Sequence, residues 1–219
     1  MLAFSNDRDI LKHEAVLFSD LYFPWQILCE GTSGELDDTS FSVEGANFVS
    51  ANVSAGGVIY LRSDDGQIDS CYEIVSVDSA TELTVSVLRA NETETATGSG
   101  SGSNITYRVS TFAPQAYEAF FELTQHFGIR PGNPDSLYGV DDILDTSVLR
   151  QASVYVILAS VYATLGSKAG GDDNYWKKSL HYRRLFEKAR ERCRLGIDIG
   201  GDGISEKTIV GGSIRLVRD

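Results

Sequence analysis

Positive charge is scarce in this sequence: 19 Lys and Arg stand against 31 Asp and Glu, a net charge of −12 over 219 residues. The deficit argues against general coating of duplex DNA, which is driven by neutralising phosphates with basic side chains, although a local basic patch is compatible with it. Cysteine is scarce too. Cys29, Cys71 and Cys193 are odd in number and widely spaced, so they build neither a disulfide framework nor a zinc pattern and point to a reducing compartment. The opening MLAFSNDRDILKHE reaches charge within seven positions and has no apolar h-region, which predicts no signal peptide and a start in the cytosol. Gln151 to Ser167 is free of charge, but its Gln, Ser, Thr and two Tyr leave it short of the roughly 20 apolar residues of a membrane span, so it reads as a buried helix of a soluble protein. Sequons at Asn52, Asn91 and Asn104 read as chance matches in a Ser/Thr-rich stretch.

The motifs of common chemistries are also missing. There is no phosphate-binding GxxxxGK[ST], no GxGxxG between a strand and a helix, and no HExxH. His13, His126 and His181 fall on three different predicted helices without Ser or Cys neighbours that would suggest a triad. The GSGSGS run at 98–103 lacks a Lys to reach phosphate. Asp198, Asp202 and Gly203 match positions 1, 5 and 6 of a calcium loop, but position 3 is Gly200 and position 12 is Ile209, which favours a Gly-rich turn. The sequence thus predicts no catalytic residue, no cofactor and no metal ligand.

What is present divides by texture. Asn6 is a plausible cap for a short helix over 6–20, with Asp7 and Asp9 in its first turn. From Tyr22 to about Thr111, runs such as GGVIYLRS, CYEIVSV and ELTVSVLR are separated by DDG and DSAT turn signals. Leu83, Val85 and Val87 alternate with Thr84, Ser86 and Leu88, as in a half-buried strand. This stretch reads as an antiparallel barrel or sandwich. It holds 13 acidic residues against Arg62, Arg89 and Arg108, and its Gly/Ser-rich 91–104 connection predicts a mobile loop.

After Pro114 the period turns helical: Tyr117, Phe120, Phe121, Thr124 and Phe127 form a stripe that ends at Gly128. Asp145 or Thr146 caps a second helix, to Gly166, that is apolar on every side; such a helix is central to its domain or buried in an oligomer, which makes Tyr155, Leu158 and Tyr162 candidate subunit-interface residues. A third helix runs over 175–195, with Trp176, Leu180, Tyr182, Phe186, Ala189 and Cys193 as its expected inner face. Its other side is basic, and Lys177, Lys178, Arg184, Lys188, Arg190 and Arg192 are candidate partner-binding residues, weighed against a plain solvated face. The tail after Gly196 reads as extended. Ile209, Val210, Ile214, Arg215, Leu216 and Val217 are its candidate partner-binding residues, because an apolar extended terminus needs a sheet edge to join.

The fold class is therefore α+β: an N-terminal helix belonging to the helical domain (1–21), an inserted acidic antiparallel β-barrel-like module (22–112), a small helical bundle (113–196) and an extended C-terminal arm (197–219). The opening NDRDILKHEAVLFSDL, the middle GGVIYLRSDDGQIDSCYEIVSVDSATELTVS and the closing IDIGGDGISEKTIVGGSIRLVRD together resemble the head-to-tail adaptor (connector, or head-completion) proteins of tailed bacteriophages. The resemblance implies a structural virion protein, assembled in the host cytoplasm and located in the virion neck. It would form a ring, commonly of twelve subunits, beneath the portal protein. Its partners would be the portal, neighbouring copies of itself and a downstream neck or tail protein, with viral DNA passing through the channel and no membrane. The β-module departs from the smallest adaptors and would be an insertion. Another neck or tail component, such as a tail-completion or baseplate protein, and a nucleic-acid-binding module using helix 175–195 are the alternatives.

Overall fold

The structure is a computed structural model and describes residues 3–98, 100–129, 131, 135–168 and 173–212. The chain is mixed helix and strand and divides into two compact units, one of Asn6–Ala113 and the other of Met1–Ser5 with Pro114–Asp219.

The first unit is a closed antiparallel barrel of six strands: β1 (Ile27–Asp37), β2 (Ser40–Ser42), β3 (Val58–Arg62), β4 (Asp69–Val77), β5 (Glu82–Ser86) and β6 (Ser101–Ser110). Their order around the barrel is β1-β2-β5-β4-β3-β6. The register explains the sequence alternation. Leu36 pairs with Phe41, and Phe41 with Leu83, and all three are buried inside. One residue along, Glu35 pairs with Ser42 and Ser42 with Glu82, and these point outward. Phe41, Phe48 and Tyr107 meet edge to face or tilted at the centre. Gly34 is required there, since a Cβ would lie 2.6 Å from the Phe41 ring. The 91–104 connection is anchored more than its composition suggests: Thr97 exchanges hydrogen bonds with Ser86 and Val87, and Arg89 Nη1 donates to the Glu94 carbonyl.

The expected first helix breaks in two, α1 (Asp7–Leu11) and α2 (Val16–Ser19), and both group with the barrel, not with the helical part. Asn6 caps α1 as predicted, in a full capping box with Asp9. Asp7 and Arg8 turn into the barrel unit. Asp7 Oδ1 accepts from the Phe112 amide at 2.7 Å, and Arg8 Nε lies 3.7 Å from the fully buried Glu73 carboxylate. These polar anchors explain why a helix of five residues holds.

The second unit contains α3 (Ala113–His126), α4 (Arg150–Lys168), α5 (Asp173–Arg192) and a hairpin of β7 (Arg194–Ile197) and β8 (Lys207–Val210). Gly128, at φ +72°, ends α3, and the Ile129 amide donates back to Thr124. A 3₁₀ turn, Thr146–Leu149, capped by Asp145, leads into α4. α4 and α5 run antiparallel as a helical hairpin: Tyr162 stacks on Tyr182, and Ser179 Oγ donates to the Ala159 carbonyl. Thr146–Ser167 is long and apolar enough to cross a membrane, with an 18-residue window at mean hydropathy 1.4, yet 56% of that window is buried within the chain, as in the core helix of a soluble protein. The predicted third helix stops at Arg192, before Leu195 and Ile197 become the buried positions of β7.

Candidate functional site

The inner face of α5 differs from the predicted one. Ser179, Tyr182 and Phe186 are buried, as is Cys193 just past the helix end, while Trp176 and Leu180 are 52% and 45% exposed. Rotating the buried stripe this way leaves Lys177, Arg184, Lys188 and Arg192 outward, within an arc of about 80° at 100° per residue and over about 22 Å of helix. All four are exposed, and none makes an ion pair among the described residues.

The neighbouring cations of α5 have partners within the chain. Lys178 Nζ donates to the Tyr162 hydroxyl at 3.0 Å and lies 4.7 Å from its ring. Arg190 is half-buried, its guanidinium 5.1 Å from the Phe186 ring. Arg183 pairs with Glu122 at 3.2 Å. Of the six cations named from the sequence, Lys177, Arg184, Lys188 and Arg192 therefore share one outward arc, while Lys178, exposed but engaged by Tyr162, and the half-buried Arg190 lie outside it.

Of the C-terminal residues, Ile209 and Val210 lie in β8, paired with Leu195 and Arg194 of β7. Ile214, Arg215, Leu216 and Val217 fall outside the described residues. Two contacts hold the end of the hairpin: Lys207 Nζ donates to the Tyr138 hydroxyl at 2.9 Å, and His126 Nε2 lies 2.9 Å from the Gly211 carbonyl oxygen. A groove of about 680 Å³ runs along β8, lined by Phe127, Leu137, Tyr138 and Ile209 among others. The candidate interface residues Leu158 and Tyr162 are fully buried within their own chain, and Tyr155 is half-buried. As folded, Leu158 and Tyr162 offer a neighbour no surface.

One outward face was not anticipated. The strand order brings Glu35 and Asp37 of β1 beside Glu82 of β5, with only Ser40 and Ser42 of the short β2 between them. Ser40 Oγ donates to Glu82 at 2.9 Å and Ser101 Oγ to Asp37 at 3.0 Å. The result is an acidic outer face; a shallow trough of about 520 Å³ beside it is lined by Glu35, Asp37, Ser40, Ser42 and Ser101, and Glu82 stands outside that trough. The spacing of Glu35 and Asp37 on one strand was visible in the sequence; the neighbourhood of Glu82 needed the non-sequential β2–β5 pairing.

Burial pushes the Cys29 thiol up to about 11 and the Cys71 thiol up to about 12, so neither is a thiolate near neutral pH. Asp198, Asp202 and Glu206 bring carboxylate oxygens within 4.8 Å of one another. Asp198, however, accepts the amides of Gly201, Asp202 and Gly203, and Glu206 accepts that of Ile199, as in a Gly-rich turn that folds around its own carboxylates. The backbone donors hold the Asp198 carboxyl below its usual range.

Comparison with family models, with curated proteins and with solved structures finds no match.

Proposed function

We propose that this chain is a structural virion protein, a head-to-tail adaptor that joins head to tail and extends the DNA channel beneath a portal ring, with no catalytic role. The observation that carries the reading is the division of charge. Asn6–Ala113 holds seventeen acidic residues against five basic ones, so it accounts for the whole net charge of −12 and leaves the other unit neutral, with a free cationic stripe on α5. Surfaces sorted by sign favour assembly, and an acidic wall lets DNA slide without the adhesion of a basic groove.

In this reading α3, α4 and α5 make a small bundle, the barrel is an insertion that meets the capsid or the next neck protein, and the residues beyond Gly212 act as an arm. The alternating SIRLVRD at 213–219 suits strand addition to the portal or an adjacent subunit. The protein works in the virion neck after assembly in the host cytoplasm.

The test is sedimentation velocity with and without a purified portal ring, using the full chain and a variant lacking residues 213–219. Deleting from Lys207 instead would remove β8 and confound docking with folding. Capture of the full chain by the portal, lost with the seven residues, supports the adaptor. A folded full chain that ignores the portal overturns it.

A further inference from the structure

From the two charged faces described above, we infer that the cationic stripe of α5 docks on the acidic face of the barrel, formed by Glu35, Asp37 and Glu82, in a second copy of this chain. The faces match in sign and in the spacing of their central charges. Arg184 and Lys188 are one helical turn apart, about 6 Å along the axis, with Lys177 and Arg192 extending the stripe at either end. Glu35 and Glu82 are separated by two inter-strand spacings, about 10 Å, and Asp37 lies about 7 Å along β1 from Glu35. The floor between them carries serines, so a helix can approach without displacing large side chains. Both faces are solvent-exposed in the single chain.

Charge complementarity selects a second copy as the occupant. Two whole chains at −12 repel, but the α5 unit is neutral overall and can approach an acidic barrel without that penalty. At physiological ionic strength a Debye length of about 8 Å screens the distant charges while contact pairs persist. A contact between two different patches is heterologous, so it propagates from copy to copy and closes into a ring or continues as an open array. The inference deepens the ring reading and rests on it only in requiring that copies associate.

The experiment uses two full-length variants, Arg184→Glu with Lys188→Glu on the helix and Glu35→Lys with Glu82→Lys on the barrel. All four positions are exposed, so both variants should keep the wild-type circular dichroism and melting behaviour. In sedimentation velocity at about 0.1 M salt, the wild-type chain is expected to self-associate, and at about 1 M salt to revert towards monomer. Each variant alone should associate at least about tenfold more weakly. Their equimolar mixture should regain association, because the helix variant keeps its acidic barrel for the basic helix of the other, and the reversed faces also match.

The inference is overturned by a wild-type chain that stays monomeric up to about 1 mM, by variants that associate like wild type, or by a mixture that stays monomeric. Loss of nucleic-acid binding in the helix variant, with self-association untouched in both variants, would also overturn it and assign the stripe to nucleic acid. A portal ring separates the two readings. If both variants gather on it as wild type does, the ring reading stands and this contact is wrong. If wild type ignores the portal yet the mixture rescues association, this contact stands and the portal reading falls.

Discussion

Arg8, in the five-residue α1, places its Nε 3.7 Å from the Glu73 carboxylate, which is fully buried on β4. Arg89 approaches the other Glu73 oxygen through its Nε, and Arg8 reaches outward to Glu92 at 2.6 Å. One buried carboxylate thus holds two arginines and ties the start of the chain to the barrel wall. Breaking a buried pair from one side leaves uncompensated charge, which costs about 3–5 kcal/mol. Glu73→Ala should destabilise the barrel unit by that amount. Each unit has one tryptophan, Trp25 and Trp176, so urea titrations in Trp176→Phe and Trp25→Phe backgrounds follow the units separately. A loss confined to the Trp25 signal is the expected result.

Asp7 gives the barrel unit a pH dependence of unusual sign. Burial outweighs the hydrogen bonds from Phe112 and Thr111 and raises its carboxyl to about 6. A carboxyl raised by folding contributes stability that is fully present below about pH 4 and lost as pH rises through about 6. The shift corresponds to about 3 kcal/mol at most. Asp7→Asn keeps an oxygen for the Phe112 amide and removes the charge. It should match wild type near pH 4 and exceed it by about 1–3 kcal/mol at pH 7.5, so the quantity to plot is the difference in unfolding free energy against pH. A flat difference would mean that Asp7 is not buried as an ionisable group.

Gly34 tests the barrel wall. A Cβ there would meet two Phe41 ring atoms at 2.6 Å and the Ile105 carbonyl oxygen at 3.1 Å. Phe41 is fully buried and cannot swing out, so Gly34→Ala forces the wall or the ring to move. Overpacking of this kind costs about 1–3 kcal/mol. Thermal melts should show the loss, while Gly66→Ala, where nothing lies within 4 Å but φ is +71°, reports backbone strain alone.

Local chemistry made much of the fold legible. The Asn6 cap, the Leu83 and Val85 alternation and the stop at Gly128 each depend on neighbours in sequence, and each appears where its pattern placed it. Features that depend on distant partners were hidden. Asp7 and Arg8, at the start of α1, take partners in Phe112 and Glu73, more than sixty residues away, which no local pattern shows. The end of α5 at Arg192 follows from Leu195 pairing with Ile209 of β8. The cationic face was visible as a count of Lys and Arg, but which cations face outward depended on the helix's rotation, which buries Ser179, Tyr182 and Phe186. The acidic face of Glu35, Asp37 and Glu82 needed a strand order that no local signal encodes.

The apolar α4 allowed two readings, a domain core or a subunit interface, and Leu158→Ala separates them. Leu158 and Tyr162 are fully buried in their own chain, Tyr162 stacked against Tyr182. As a core position, Leu158 should cost about 2–5 kcal/mol on truncation, through lost burial and the cavity left behind. The loss should appear in the Trp176 signal at a protein concentration where the chain is monomeric, and it should be independent of that concentration. An interface position would behave differently: the monomer would unfold as wild type does, and only association would weaken. Val148, 38% exposed and just before α4, is the internal control, since its truncation to Ala removes little buried area and should change stability by no more than about 0.5 kcal/mol.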